Sequence, residues 1–137
     1  MGWLIDTSLW IAVERGRLAA ADIHALTGPE PVYLSPVNIA EIRFGLELLP
    51  SGPQKQRATA ALRRLRRKPQ LRITVETADT FGSLAAQLKK IGKDPTVRIN
   101  DLWLAAQAIQ RKCRLLTSNG RDFADIPGLP VVVLELP

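Results

Sequence analysis

The sequence contains only one cysteine and one histidine. A single thiol excludes an internal disulfide, and Cys113 has no second Cys or His nearby at the spacing of a metal site. Cys113 falls within a predicted helix, so we interpret it as a buried apolar residue. Thiolate and imidazole ligands are therefore not expected to carry the chemistry of this protein.

Long apolar runs are also missing. No segment approaches the roughly 18 residues that a membrane-spanning helix requires. The first ten residues, MGWLIDTSLW, have no basic region before the apolar residues and reach Asp6 too early for a signal peptide. We therefore expect a soluble protein in a reducing, cytoplasmic setting, with no membrane partner.

Acidic residues are absent from the stretch between Leu48 and Val75. The whole chain has a formal net charge of +6, which favours a polyanionic partner. A predicted helix over residues 54–68 is rich in arginine and lysine, with a stripe of alanine and leucine at helical spacing. We interpret Arg63, Arg64, Arg66 and Arg67 as candidate phosphate contacts on RNA. A solvated face or a protein-binding surface is the alternative.

The remaining pattern predicts one α/β domain over residues 1–137. Short apolar segments predict strands at 3–5, 32–34, 115–117 and 131–134, and residues 72–75 suit either strand or coil. Helices are predicted at 7–15, 19–26, 36–49, 54–68, 77–91 and 101–112. Short apolar strands separated by helices are typical of a parallel sheet covered on both faces. We therefore predict a three-layer α/β/α fold with a short central parallel sheet of four to five strands.

Acidic residues follow two of these strands or lie on the helices that come next. Asp6 ends the first strand, Glu41 lies on an apolar stripe of the third helix, Asp101 opens the last helix, and Asp122 lies in a polar turn. Ligands of open parallel sheets bind at the carboxyl ends of the strands, so we expect these acids to converge there.

Each acid alone also has a purely structural interpretation. Asp6 and Asp101 are placed where an acid caps a helix or meets its dipole, although Thr7 and Ser8 can cap the first helix equally well. For Glu41, the structural interpretation is a salt bridge to Arg43 or Arg98. Asp122 suits a turn with Gly120.

Converging carboxylates require a counter-cation. Two carboxylates about 4 Å apart repel by about 4 kcal/mol at an effective dielectric near 20. Oxygen ligands without a useful histidine or a thiolate pair favour Mg²⁺ or Mn²⁺ over zinc. We predict Asp6 and Asp101 as core metal ligands, with Glu41 and Asp122 completing the shell or orienting a water. Thr117, Ser118 and Asn119 are the predicted hydrogen-bonding supports of that shell.

Such a site suits phosphate chemistry. The chain has no GxxxxGK[ST] loop, which argues against a nucleoside triphosphatase. The remaining phosphate substrate for a basic protein is a nucleic-acid backbone. A phosphoacceptor receiver domain also gathers acids around Mg²⁺, but no lysine follows the strand that ends at Thr117, as that class would require.

The sequence resembles the PIN-domain ribonucleases, and among them the VapC-type toxins of toxin–antitoxin pairs. The resemblance extends from Trp3 to about Leu134 and rests on the order and spacing of LIDTSLW, SPVNIAEIRFGL, NDLWLAAQAI and LLTSNGRDFADIPGL. By position, Asp6, Glu41 and Asp101 match the three acids of that family. The family places a variable fourth acid either where this chain has Asn119 or where it has Asp122.

The resemblance implies a Mg²⁺-dependent endoribonuclease that cleaves structured RNA, such as tRNA or rRNA, and arrests translation. It further implies a homodimer and a cognate antitoxin that covers the acidic site, with operator DNA bound only through the antitoxin. Two alternatives stay open at this point. One is a PIN-like RNA-processing nuclease without an antitoxin, and the other is a catalytically inactive module that binds RNA or protein.

Overall fold

A four-stranded parallel sheet forms the centre of the computed structural model, which describes all 137 residues. Its strands are β1 (Trp3–Ile5), β2 (Val32–Tyr33), β3 (Arg114–Thr117) and β4 (Val131–Val133), in the order β2-β1-β3-β4. Every pairing is parallel, and Leu4 lies opposite Tyr33 on one side and Leu115 on the other. The predicted parallel sheet is confirmed.

The helices around the sheet are α1 (Thr7–Glu14), α2 (Ala20–Thr27), α3 (Pro36–Glu47), α4 (Pro53–Arg66), α5 (Val75–Lys90) and α6 (Ile99–Gln110). A short 3₁₀ turn, Gly120–Asp122, follows β3. None of these helices is long and apolar enough to cross a membrane. Residues 72–74 add no strand, and only an isolated bridge between Leu34 and Gln70 extends the sheet there.

Most helix ends differ from the prediction by one or two residues, and the end of α6 and the start of α5 have identifiable local causes. Helix α6 ends at Gln110, and the left-handed backbone of Lys112, with φ of 55°, turns the chain toward β3. Cys113 therefore lies in the connection to β3 and not in a helix, although it is buried as expected. Helix α5 begins at Val75 because the Thr74 hydroxyl accepts from the Thr77 backbone N–H and so caps the first turn.

The alternation of side chains along the strands gives the sheet two buried faces. Leu4 and Leu115 belong to a core shared with α5 and α6, whereas Ile5 and Leu116 belong to a second core that includes Leu9 and Leu65 from α1 and α4. Helices therefore cover both faces, and the predicted three-layer α/β/α arrangement is confirmed.

The crossover that positions the candidate site lies between β1 and β3. β1 pairs with β2 on one side and with β3 on the other, so the strand order reverses at β1. The Asp6 backbone N–H donates to the Leu116 carbonyl oxygen at 2.8 Å, which places the end of β1 beside the end of β3. Residues that follow these two strands thus meet at one edge of the sheet.

Candidate active site

Asp6 is held by hydrogen bonds to both of its carboxylate oxygens. Its Oδ1 accepts from the Thr7 backbone N–H at 2.8 Å, and its Oδ2 accepts from the Thr117 hydroxyl at 2.8 Å and the Ser8 hydroxyl at 3.3 Å. Asp6 is the N-cap of α1, as its structural interpretation predicts, whereas the alternative caps Thr7 and Ser8 lie inside the helix. The extended backbone of β1 continues through Asp6, and Thr7 is already helical.

Glu41 lies on α3 and faces the end of β1. Its Oε1 accepts from the Thr7 hydroxyl at 2.8 Å, and the nearby Asn100 side chain also lowers the pKa of Glu41. The two salt bridges predicted as alternatives for Glu41 are not formed. Arg43 pairs with Glu47, and Arg98 pairs with Asp122 and Asp125. Glu41 is therefore held by neutral donors and has no cationic partner.

Asp101 is the third residue of α6 and the most perturbed acid of the site. Burial raises its pKa first, and the negative charges of Asp6, Asp122 and Glu41 raise it further, to about 7; Arg98 opposes the shift. Burial also raises the pKa of Asp6 against its hydrogen bonds, with a smaller contribution from Asp122. Burial and the Asp6 charge raise the pKa of Glu41 against the Thr7 hydrogen bond. The four predicted carboxylates therefore share one electrostatic environment.

Asp122 lies in the 3₁₀ turn, where Arg98 binds the segment to the start of α6. Arg98 Nη1 is 3.8 Å from Asp122 Oδ1, and Nη2 is 3.2 Å from Asp125 Oδ2. The same guanidinium donates to the carbonyl oxygens of Arg121 and Asp122. Arg98 is thus the cation that balances the rim of this acidic cluster.

The three predicted supporting residues contribute in different ways. The Thr117 hydroxyl contacts Asp6 directly, as expected. Ser118 reaches Asp6 only through Ser8, since its hydroxyl donates to Ser8 Oγ at 2.8 Å. The Asn119 side chain is exposed and does not contact the carboxylates; it is the Asn119 backbone N–H that donates to Thr117 Oγ1, at 3.0 Å. The turn geometry directs this side chain outward.

Sequence reasoning missed three polar residues of the site: Thr7, Asn38 and Asn100. Asn38 is fully buried and donates through Nδ2 to Thr7 Oγ1 at 2.7 Å. A signal for it was present, because Asn38 is one helical turn before Glu41 and stands between Val37 and Ile39. A lone amide among apolar residues on that stripe requires a buried hydrogen-bond partner.

The donor set fits a hard divalent cation by its chemistry. Its members are carboxylate oxygens supported by hydroxyls and amides, and Arg98 is their only ion-pair partner. No three acidic, histidine or cysteine side chains form a ready-made metal cage in the present arrangement. The assignment of Asp6, Glu41 and Asp101 as metal ligands therefore stays a prediction.

The basic helix α4 borders a groove that reaches the acidic site. The groove, about 730 Å³ in volume, lies between α1, α3 and α4 and is lined by Glu41, Arg57 and Arg64 among others. All four of these arginines are exposed, but Arg64 lines the groove and pairs with Glu14 of α1, whereas Arg63, Arg66 and Arg67 lie outside the groove. The predicted RNA contacts thus divide into one arginine in the groove and three on the outer surface.

The fold and the site together define an α/β protein with an acidic cluster at the switch point of a parallel sheet. The family model described as PIN domain matches residues 3–129. Ribonuclease VapC of Rickettsia bellii (strain RML369-C) is 27% identical over 137 residues, which cover 99% of this chain and 98% of that protein. Ribonuclease VapC5 of Mycobacterium tuberculosis (strain ATCC 25618 / H37Rv) is 30% identical over 125 residues, which cover 91% of this chain and 87% of that protein. The chain belongs to the PIN-domain family, and within it to the VapC type.

Solved structures agree with this assignment. The VapBC-5 structure from Mycobacterium tuberculosis, a member of the VapBC family of toxin-antitoxin systems, matches with a TM-score of 0.75 and 27% identity, covering 98% of each chain. VapBC2 from Rickettsia felis, bound to a DNA fragment from its promoter, matches with a TM-score of 0.84 at 20% identity, covering 98% of this chain and 100% of that one. At that identity, the second match establishes the shared fold alone.

Proposed function

We propose that this protein is an endoribonuclease toxin of a toxin–antitoxin pair. The observation that carries the proposal is the convergence of Asp6, Glu41, Asp101 and Asp122 at the carboxyl ends of β1 and β3. The Rickettsia bellii relative, which matches almost end to end, is named a ribonuclease. An acidic site of this composition suits hydrolysis of a phosphodiester bond.

The proposed cofactor is Mg²⁺ or Mn²⁺, held by Asp6, Asp101 and Glu41. When bound, the ion supplies a water of lowered pKa and stabilises negative charge on the phosphate oxygens. The chain's own task is to keep its ligands oriented. Thr117 and the Thr7 backbone N–H hold Asp6, and the Thr7 hydroxyl holds Glu41. Asp122, tethered by Arg98 at the rim, is proposed to orient the attacking water.

The proposed substrate is structured RNA, such as tRNA or rRNA, whose cleavage would inhibit translation. The net charge of +6 and the exposed arginines of α4 support a polyanionic substrate. The groove beside Glu41 provides a continuous surface from that helix to the acidic cluster. A phosphate bound by Arg57, which lines this groove, would therefore lie on the approach to the site.

The proposed partners are a cognate antitoxin, a second copy of this chain in a homodimer, and operator DNA bound through the antitoxin. The VapBC-5 match supports the antitoxin, because that structure is of a toxin-antitoxin system. The promoter DNA in the Rickettsia felis structure belongs to a complex with the same fold and motivates the operator proposal. We place this pair in the cytoplasm, where its RNA substrates are found.

The test is cleavage of total tRNA and rRNA by purified protein with Mg²⁺ or EDTA. We expect Asp6→Asn to lower the cleavage rate by about 100-fold or more, since a charged ligand is lost. Asparagine still caps a helix, so the fold should persist. Asp79→Asn, at an exposed position of α5, is the matched control and should cleave like the wild type.

Two results would contradict the proposal. One is unchanged cleavage by Asp6→Asn, and the other is cleavage that continues in EDTA. A catalytically inactive binding module would instead retain RNA equally well with Mg²⁺ or EDTA and cut none. Mapping RNA 5′ ends after induction, with and without the neighbouring gene, separates a toxin from a processing nuclease.

A further inference from the structure

Thr7 contacts both Asp6 and Glu41. Its backbone N–H donates to Asp6 Oδ1 and its hydroxyl donates to Glu41 Oε1, each at 2.8 Å. Thr7 is itself buried, with 7% of its surface exposed. Because one rigid, β-branched residue bonds both carboxylates, its backbone and χ1 angle determine how the two acids stand relative to each other.

Asn38 determines the direction in which the Thr7 hydroxyl donates. The Asn38 Oδ1 accepts from the Ser35 backbone N–H at 2.7 Å. A backbone N–H only donates, so the amide oxygen must face Ser35 and the amide nitrogen must face Thr7 Oγ1. The hydroxyl has a single proton, and with Asn38 as its donor that proton is directed to Glu41.

The base of this hydrogen-bond chain is anchored to α6, the helix that carries Asp101. The Ser35 hydroxyl bonds to Gln107 Oε1, and Gln107 Nε2 donates to the Leu71 carbonyl oxygen at 2.8 Å. Ser35, Asn38 and Gln107 are all fully buried. These groups are buried from water, so this series of hydrogen bonds has one arrangement. It connects Asp6 and Glu41 to α6, the helix that carries Asp101.

We propose that Asn38 and Thr7 are positioning residues that form a fixed relay and hold Glu41 in the orientation of a metal ligand. This inference rests on the proposed function, since it gives Glu41 a ligand role. Both residues act through Glu41, since Asn38 bonds to Thr7 and Thr7 bonds to Glu41. Their effect is to fix Glu41 against Asp6 before an ion arrives, which lowers the cost of organising the shell.

The experiment measures Mn²⁺ affinity by electron paramagnetic resonance at one fixed pH, with RNA cleavage measured in parallel. Thr7→Val keeps the shape and the backbone bond to Asp6 but removes the hydroxyl. We expect Thr7→Val to weaken Mn²⁺ binding by about 10–100-fold. Thr7→Ser restores the hydroxyl and should bind within about threefold of the wild type. Thr7→Ala, which leaves space for a water beside Asn38, is measured in case the valine variant does not fold.

The matched control is Thr77→Val. Thr77 is also fully buried and its hydroxyl bonds to Gln110, but it lies on α5 and contacts none of the four carboxylates. This variant should lose comparable stability and keep wild-type Mn²⁺ affinity. If it loses affinity as Thr7→Val does, the effect is general destabilisation and the relay is overturned.

The remaining outcomes separate the relay from the nuclease proposal. Wild-type affinity in Thr7→Val and Thr7→Ala, together with wild-type RNA cleavage, overturns the relay and leaves the nuclease intact. Loss of Mn²⁺ affinity in these variants, while the wild type binds Mn²⁺ without cutting RNA, supports the relay and overturns the nuclease. A wild-type protein that binds no Mn²⁺ overturns both.

Discussion

Asp101 is the residue that best shows the effect of bringing several carboxylates close together. It is half-buried at the start of a helix, where the dipole favours an acid, yet its pKa rises to about 7. Burial and three neighbouring carboxylates therefore outweigh the helix dipole and Arg98. In the metal-free protein, the site therefore disfavours the ionised form of Asp101.

The stability of the metal-free protein should depend on this residue. The pKa of Asp101 is raised in the folded state, from 3.8 to about 7, so folded protein binds more protons than unfolded protein between these values. The contribution of Asp101 to stability is then greatest below about pH 4 and falls as pH rises to about 7. The full separation corresponds to about 4 kcal/mol, which solvent screening of a half-exposed group reduces to about 1–2 kcal/mol.

Asp101→Asn should remove this dependence. In EDTA at about pH 8, we expect its free energy of unfolding in urea to exceed that of the wild type by about 1–2 kcal/mol. At about pH 4 the two proteins should be nearly equal, and Asp79→Asn should follow the wild type at both pH values. A pH dependence in Asp101→Asn as large as that of the wild type would show that Asp101 does not cause it.

Single residues also show what the sequence does and does not predict. Asp6, Glu41, Asp101 and Asp122 were predicted from their positions after strands and on apolar stripes, and they share one region. Thr7 and Asn38 were missed because hydroxyl and amide side chains have many structural roles, and only tertiary packing brings Asn38 of α3 against Thr7 of α1. The direction of the Asn119 side chain depends on the turn conformation, which the residue types do not specify.

At the scale of elements, α4 carries the charge that the sequence concentrates between Leu48 and Val75. Its apolar residues Ala61, Leu62 and Leu65 are buried, so the arginines are forced outward. Arg64 differs from its neighbours because Glu14 already neutralises it. The outer arginines Arg63, Arg66 and Arg67 are therefore the available phosphate contacts.

Replacing Arg63, Arg66 and Arg67 with glutamine should weaken RNA binding. We expect the slope of log Kobs against log salt concentration to decrease in magnitude by about 2–3, because each lost phosphate contact removes about 0.7–0.9. Fluorescence anisotropy with catalytically inactive Asp6→Asn protein provides the measurement. Lys89→Gln with Lys90→Gln, two exposed cations at the end of α5, is the control. An unaltered salt slope would mean that α4 faces a protein partner.

Helix ends were predicted less well than helix identities. The sequence pattern predicts the start of α5 at 77, yet the Thr74–Thr77 pair extends the helix back to Val75. The end of α6 was placed at 112, where a lysine adopts a left-handed backbone that its residue type does not favour. Periodicity identifies the body of a helix, whereas its end depends on a few local hydrogen bonds.

For the molecule as a whole, the fold was predictable because its strands are short, apolar and separated by helices. Such strands must be buried on both faces, which specifies a parallel sheet and the edge where a ligand binds. The strand order β2-β1-β3-β4 was not predicted, since periodicity carries no information on which strands pair. The residue pattern carries even less information on the identity of the substrate and the partners.

The central claim is that four distant carboxylates create one divalent-cation site. Anomalous diffraction at the manganese edge, from crystals grown with Mn²⁺, tests it most directly. We predict a peak within about 2.5 Å of oxygens from Asp6 and Asp101, with Glu41 in the same shell. The claim would be contradicted if crystals grown with Mn²⁺ showed no such peak and the Arg98 guanidinium lay among the carboxylates in place of the ion.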